Sequence, residues 1–344
     1  MKILVVRRDN IGDLVCTTPL FAALRQRYPA AWIGALVNSY NAPVLERNPD
    51  LSEVISYTKL KHLDEGDSAL AALGARAASI WRLRQMALDT IVLATPGRAE
   101  RDVSLARLLK PRQVAGFDDG STRTARLDLR VPLAPLRAAH EVEQVFALAG
   151  LFGVEGMPPA LVLVPDPREV EMAQARFAPR PVGRVAVHIS ARRRSQQWPA
   201  ERFVELIRKL VADHGVQVML LWSPGAPDHP KHPGDDDKAA AVIKGAGHDD
   251  NVVSCPTARL VELIGALAAC DAVICADGGA MHLAAALGKP IVAMFGDASV
   301  ERWRPWKVRH RIVRPDSRDL ADLPVAEVLA AYAAISSAAP LYTA

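Results

Sequence analysis

Short all-apolar runs alternate with amphipathic stretches along almost the whole of this sequence, and that alternation admits few folds. Ile3–Val6 is an apolar, β-branched run of the kind found in strands covered on both faces of a parallel sheet. Similar runs recur at Trp32–Val37, Thr90–Leu93, Val185–Ile189, Val216–Leu221, Ala272–Cys275 and Ile291–Phe295. Between them, Phe203, Leu206, Ile207, Leu210 and Val211 fall on one stripe of a helix, and Leu260, Leu263, Ile264 and Leu267 repeat the pattern. Strands and helices in strict turn require parallel sheets with right-handed crossovers, so the fold class is α/β. A chain of 344 residues exceeds one core of about 100–200 residues and predicts two domains. Pro179-Arg180-Pro181-Val182-Gly183, just before a fresh strand, is the expected linker. The expected divisions are therefore 1–178, 179–318 and 319–344. A helical stretch, Ser317–Ser337, which leads into the last of these, is expected to cross back onto the first domain.

Composition removes several classes. Hydrophobic residues make up 50% and charged residues 23%, a globular balance rather than a disordered one. Forty-two basic residues against 38 acidic ones leave a net charge of +4, a mild excess suited to an anionic substrate and far from polybasic. Aromatics are only 5%, too few for base-stacking platforms, so no nucleic-acid partner is expected. Cys16, Cys255, Cys270 and Cys275 form no Cys-x-x-Cys and no zinc spacing, and read as reduced, buried thiols of a cytoplasmic protein. The opening apolar run is too short for a signal peptide, and no stretch approaches the ~18 apolar residues of a membrane span.

Three strand–helix junctions carry chemistry. The first reads Arg7-Arg8-Asp9-Asn10-Ile11-Gly12-Asp13, followed by Thr17-Thr18-Pro19. Gly12 permits a tight turn, and Asp13 is either a helix-capping carboxylate or a functional one near the top of the sheet. Neither Gly-x-Gly-x-x-Gly nor a Walker pattern is present, so a dinucleotide finds no glycine cradle here. The second junction runs from Ala272–Ala276 into Asp277-Gly278-Gly279-Ala280-Met281-His282 and an alanine-rich helix. Backbone N–H groups at such a helix start bind anions, and two glycines let a diphosphate approach, although the pair could equally serve close packing. The third, His188-Ile189-Ser190-Ala191-Arg192-Arg193-Arg194-Ser195-Gln196-Gln197-Trp198-Pro199, places three arginines after a strand, where they offer bidentate phosphate contacts or form a solvated surface. The stretch Ser223–Asp237 contains four prolines and follows a strand at its carboxyl end, where ligands bind in open α/β sheets. In it, Asp235-Asp236-Asp237 fits a cation-binding Asp-x-Asp but more often means solvated charge, and His229 and His232 lack metal-ligand spacing. From Arg98 to Arg130, eight basic residues face five acidic ones, an anion-facing patch or plain surface.

Taken in order, the three junctions resemble glycosyltransferase family 9, the ADP-heptose:lipopolysaccharide heptosyltransferases. The match runs from Lys2–Arg7 and Ile11-Gly12-Asp13, through His188, Trp198-Pro199 and Phe203, to Asp277–His282, Ala286–Pro290 and Phe295-Gly296. The resemblance implies a GT-B fold, two Rossmann-like domains with parallel sheets facing across a cleft, with acceptor on the first and nucleotide sugar on the second. It implies inversion with no required cofactor, Mg²⁺ included. Asp13 would be the general base, and Arg7, where relatives often carry lysine, would stabilise nearby charge. Asp277, Gly278, Gly279 and His282 would hold the diphosphate, with Ser190, Arg192, Arg193, Arg194, Gln196 and Asp235 as further donor contacts. The expected reaction moves heptose from ADP-heptose to an anionic lipid-linked glycan such as the lipopolysaccharide core, in the cytoplasm with transient contact to the inner membrane. Two departures stand out. Gln196 replaces a lysine of the relatives, and Asp277-Gly278 replaces Asp-Ser/Thr. Either the arginine run compensates, or the chain uses another nucleotide sugar, or it is a catalytically weak nucleotide-sugar-binding partner. A nicotinamide oxidoreductase shares the α/β pattern but would need the missing glycine fingerprint.

Overall fold

The computed structural model describes residues 1–57, 69–97, 99–122, 124–228, 233–247 and 250–336, so His229, His232 and Arg98 lie outside it. The chain forms two compact units, Met1–Leu163 and Val164–Ala344.

The first unit comprises β1 (Lys2–Val6), α1 (Ile11–Val15), α2 (Thr18–Arg27), β2 (Trp32–Asn38), β3 (Glu53–Tyr57), α3 (Ala69–Gln85), β4 (Thr90–Leu93), α4 (Ala99–Leu108), β5 (Gln113–Asp118), β6 (Leu129–Pro132) and α5 (Glu141–Phe146). The strands form one parallel sheet in the order β3-β2-β1-β4-β5-β6. Leu4 and Val6 of β1 pack with Leu83 of α3 and with Val103, Leu105 and Ala106 of α4. Ile3 and Val5 alternate to the opposite face and are equally buried. Burial on both faces is why β1 reads as a continuous apolar run, each large side chain contributing about 1.5–3 kcal/mol.

The second unit comprises α6 (Pro167–Gln174), β7 (Arg184–His188), α7 (Ala200–His214), β8 (Gln217–Trp222), α8 (Asp236–Ala246), β9 (Val252–Pro256), α9 (Leu260–Ala268), β10 (Ala272–Ala276), α10 (Gly279–Ala286), β11 (Ile291–Met294), α11 (Val300–Trp303), β12 (His310–Val313) and α12 (Val325–Ser336). Its parallel sheet runs β12-β11-β10-β7-β8-β9, which is the connectivity of the first unit repeated. The sequence shows no such repeat. In each unit the strand order reverses once, between β1 and β4 and between β7 and β10. The crevice beyond the carboxyl ends of those strands is where open α/β sheets bind ligands.

Two boundaries need correction. The units divide at Leu163/Val164 and not at 178/179, because α6 docks on α9 of the second unit. The two backbones come so close that a Cβ at Gly265 would stand 2.7 Å from the Glu169 carbonyl carbon. Gly265→Ala is therefore expected to cost about 1–3 kcal/mol, read as a lower melting temperature of the second unit, and an unchanged melt would show that α6 contributes nothing to its stability. The carboxyl-terminal helix is also reassigned. Expected to return to the first domain, α12 instead packs on β11, β12 and α7 and belongs to the second unit.

Among the described residues, no helix is long and apolar enough to cross a membrane. All four cysteines are buried, and none forms a disulfide.

Candidate active site

In the first unit the chain leaves β1 into a turn that is fixed from several sides. The Asp9 carbonyl accepts hydrogen bonds from Asn38 Nδ2 (3.0 Å), Tyr40 Oη (2.6 Å) and Asn41 Nδ2 (3.1 Å). Thr95, just past β4, donates its hydroxyl to Asp9 Oδ2 at 3.0 Å. Asn10 then caps α1, donating its backbone N–H (3.0 Å) and Nδ2 (2.9 Å) to Asp13 Oδ2. Gly12 is not the turn residue the sequence led us to expect. It is buried inside α1 with ordinary helical geometry, and the turn belongs to Asp9 and Asn10.

Arg7, the first residue beyond β1, is 1% exposed. One Nη2 donates to both Asp13 Oδ1 (3.0 Å) and Glu141 Oε1 (2.7 Å), while Nη1 donates to the Ala94 carbonyl at the end of β4. Its Nε lies 3.0 Å from Asp9 Oδ2, a charge contact without hydrogen-bond alignment. One guanidinium thus gathers three carboxylates at the β1/β4 reversal. Burial removes water from Arg7, but Glu141, Asp13 and Asp9 more than offset that and hold its proton above the ordinary arginine range. Burial also pushes the Asp9 carboxyl up, against the pull of Arg7. Arg7 is therefore no free charge for a substrate; it fixes carboxylates. Of the four charged groups, Asp13 and Asp9 keep some exposure, 15% and 17% of their side chains, whereas Glu141 and Arg7 keep 1%.

Sequence reasoning selected Arg7 and Asp13 but missed Asp9, Thr95 and Glu141. Asp9 lay inside the quoted junction. Glu141 is 134 positions from Arg7, held at the start of α5 by a local box in which Val142 N–H donates to His140 Nδ1 (3.1 Å) and His140 N–H donates to Glu143 Oε2 (2.9 Å). That box announces a helix start, not a buried partner.

The second unit builds a different site at its own reversal. Asp277 follows β10, and Gln196, 6% exposed on the loop after β7, donates Nε2 to Asp277 Oδ2 at 2.8 Å. Burial pushes Asp277 up to about 6, while the Gln196 hydrogen bond and the Arg193 charge pull it down and Asp297 pushes it further up. Gly278 and Gly279 open α10, and a Cβ at Gly278 would meet nothing within 4 Å, so there is room for a ligand atom. His282 is 3% exposed in the first turns of α10, edge-on to Trp303 with ring centroids 5.8 Å apart. Ser190 Oγ accepts the Ser223 N–H at 2.9 Å, tying the loops after β7 and β8 together.

Arg192, Arg193 and Arg194 are exposed, and Arg193 lies 3.9 Å from Asp297, whose Oδ1 also accepts the Ser195 hydroxyl at 2.6 Å. Asp235 is the half-buried cap of α8. Asp236 is already engaged, its oxygens accepting Trp222 Nε1 (2.8 Å) and Gly225 N–H (2.9 Å). Among the described residues no group of three or more His, Cys, Asp or Glu side chains is placed to hold a metal. In the basic stretch of the first unit, Arg130 and Arg112 pair with Asp118 and Asp89 at 3.4 and 3.3 Å, so two of its eight basic residues are met locally.

Solved structures share this architecture. A glycosyl transferase family 9 protein from Veillonella parvula matches with a TM-score of 0.82 at 17% identity, covering 97% of this chain and 96% of that one. An Escherichia coli ADP-heptose LPS heptosyltransferase II matches with a TM-score of 0.76 at 23% identity, covering 97% and 98%. The fold is thus that of the GT-B glycosyltransferases. In sequence, the chain is 27% identical to lipopolysaccharide heptosyltransferase 2 of E. coli K12, over 91% of this chain and 88% of the relative. Residues 80–331 match the family described as glycosyltransferase family 9 (heptosyltransferase), and the chain belongs to that family.

Proposed function

We propose that this glycosyltransferase moves a heptose, with inversion, from ADP-heptose to an anionic lipid-linked glycan of the lipopolysaccharide core. Asp13 is the general base. The observation that carries this reading is the state of Asp13: a carboxylate at the β1/β4 reversal, fixed by Arg7 and Asn10, that still reaches solvent. Its oxygen takes the proton of the acceptor hydroxyl as that oxygen attacks the anomeric carbon. The bond from the anomeric carbon to the diphosphate oxygen breaks, and ADP departs with the electron pair. Asp277, Gly278, Gly279 and His282 belong to the diphosphate site, where backbone N–H groups of α10 meet the developing charge. No metal enters this scheme. The enzyme works in the cytoplasm and meets the inner membrane only through its lipid-linked acceptor.

The test is single-turnover transfer from ADP-heptose to a heptose-acceptor core lipid, followed by mass spectrometry of the product, in EDTA and in Mg²⁺. A mass increase of one heptosyl unit in both is expected. Donor binding without product would make the protein a binding partner, and transfer from UDP-sugars alone would change the donor.

Asp277 adds a pH signature. With its carboxyl raised to about 6, it is mostly neutral below that pH and charged above it. An ADP-sugar diphosphate has no proton to gain in this range, so its affinity is expected to rise about threefold to tenfold between pH 7.5 and 5.5. Asp277→Asn should flatten that dependence. A profile equally steep in the variant would place the titrating group elsewhere.

A further inference from the structure

We propose that Lys238, on the first turn of α8, is the cation that receives the donor diphosphate. This rests on the nucleotide-sugar reading above. A diphosphate entering the β7/β10 crevice meets the carboxylate of Asp277, with Asp297 nearby, and a neutral amide in Gln196. The three consecutive arginines are exposed, and Arg193 is turned toward Asp297. Beyond the N–H groups of α10, a further element offers positive charge to the crevice.

Lys238 has the position. Its Nζ donates to the Ile189 carbonyl at 3.0 Å, and Ile189 is the first residue beyond β7. β7 lies between β8 and β10. The Ile189 N–H donates to the Leu221 carbonyl, so the Ile189 carbonyl opens on the β8 side. On the β10 side His188 stands opposite Cys275, two residues before Asp277, so Lys238 and Asp277 stand at the same, carboxyl end of the sheet. The ammonium also lies 4.9 Å from the centre of the Phe203 ring, which keeps water from one side of it.

An ammonium has three donors, and one carbonyl uses one of them. Among the described residues Lys238 forms no ion pair, and Asp235 at the head of the same helix acts on it only at longer range. Lys238 is moreover the third residue of α8, where the unpaired N–H groups of the helix disfavour a cation. Burial lowers its pKa, and its charge in turn joins burial in holding His188 down at about 4. A lysine disfavoured by burial and by its place at a helix start, and compensated only by one carbonyl, the Phe203 ring and the more distant Asp235, is a local conflict of the kind found at functional sites. A bound anion resolves it. Ser190 lies next to that carbonyl, and its hydroxyl accepts the Ser223 N–H, which leaves its own proton to donate to the same phosphate.

Isothermal titration of the full chain with ADP and AMP, for wild type, Lys238→Met and Lys238→Arg, tests this. Losing one charge-assisted contact should weaken ADP about tenfold to a hundredfold and AMP much less, with a shallower dependence of ADP affinity on salt. Lys238→Arg should regain most of the ADP affinity. ADP affinity within twofold of wild type in Lys238→Met overturns the proposal and leaves the nucleotide-sugar reading intact. Equal losses for ADP and AMP, with unchanged salt dependence, also overturn it, because a brace between α8 and β7 would behave that way. Failure of the wild type to bind ADP overturns both.

Discussion

Replacing Asp13 by Asn is expected to lower kcat roughly 10²–10⁴-fold while leaving the affinity for ADP within about twofold of wild type. The substitution preserves shape and keeps one oxygen for Arg7 or Asn10, but it removes the proton acceptor. Weakening the cap of α1 should cost about 0.5–2 kcal/mol, so a modest drop in melting temperature accompanies the kinetic loss. The split is what matters. On the proposed reading the donor binds the second unit, and a base in the first unit has no reason to disturb it. If kcat falls less than about tenfold, the proton goes to another group, and Asp9 is the next carboxylate with access to solvent.

Arg7→Met should strongly destabilise the first unit. The guanidinium is the common partner of Asp9, Asp13 and Glu141, and Glu141 is almost wholly buried. Removing one member of a buried ion pair strands the other and costs about 3–5 kcal/mol. For a unit of this size that is a melting temperature lower by roughly 6–20 °C. The sign of the pH dependence separates stranded charge from lost packing. In the variant, the folded state holds carboxylates that gain by taking up protons, so it binds more protons than the unfolded chain and gains stability as pH falls. The gap between wild type and variant should therefore narrow from pH 7.5 to pH 5. A gap independent of pH would mean that Met simply packs badly. Transfer should fall as well, because Asp13 loses the group that fixes Oδ1.

The strands that sequence reasoning located are the ones buried on both faces: β1, β2, β4, β7, β8, β10 and β11 coincide, to within a residue or so, with apolar runs that hold at most one polar residue. It passed over β3, β6, β9 and β12, the four sheet edges, along with β5. β6, β9 and β12 carry half-exposed, mixed sequences that no periodicity distinguishes from loops. The helix faces of α7 and α9 were legible for the same reason as the central strands, since burial on one side writes a local period into the sequence.

The sites divide along the same line. Arg7 and Asp13 are six positions apart on one strand–helix junction, and the Asp277–His282 helix start is contiguous, so local spacing was enough to select them. Their roles were another matter. Only the packed structure shows Arg7 buried beneath three carboxylates, Glu141 arriving from α5, Gln196 bridging 81 positions to Asp277, and the arginine run pointing outward while Lys238 reaches the end of β7. The physical reason is one of range. Backbone geometry and burial repeat over two to four residues and leave a pattern in the chain, whereas the partners at a strand-order reversal come together because parallel sheets bring distant loops to one edge. Sequence alone determined the α/β class, the central strands and the choice of Asp13 as the candidate base; which charges surround that carboxylate, and where each unit begins and ends, was decided by tertiary packing.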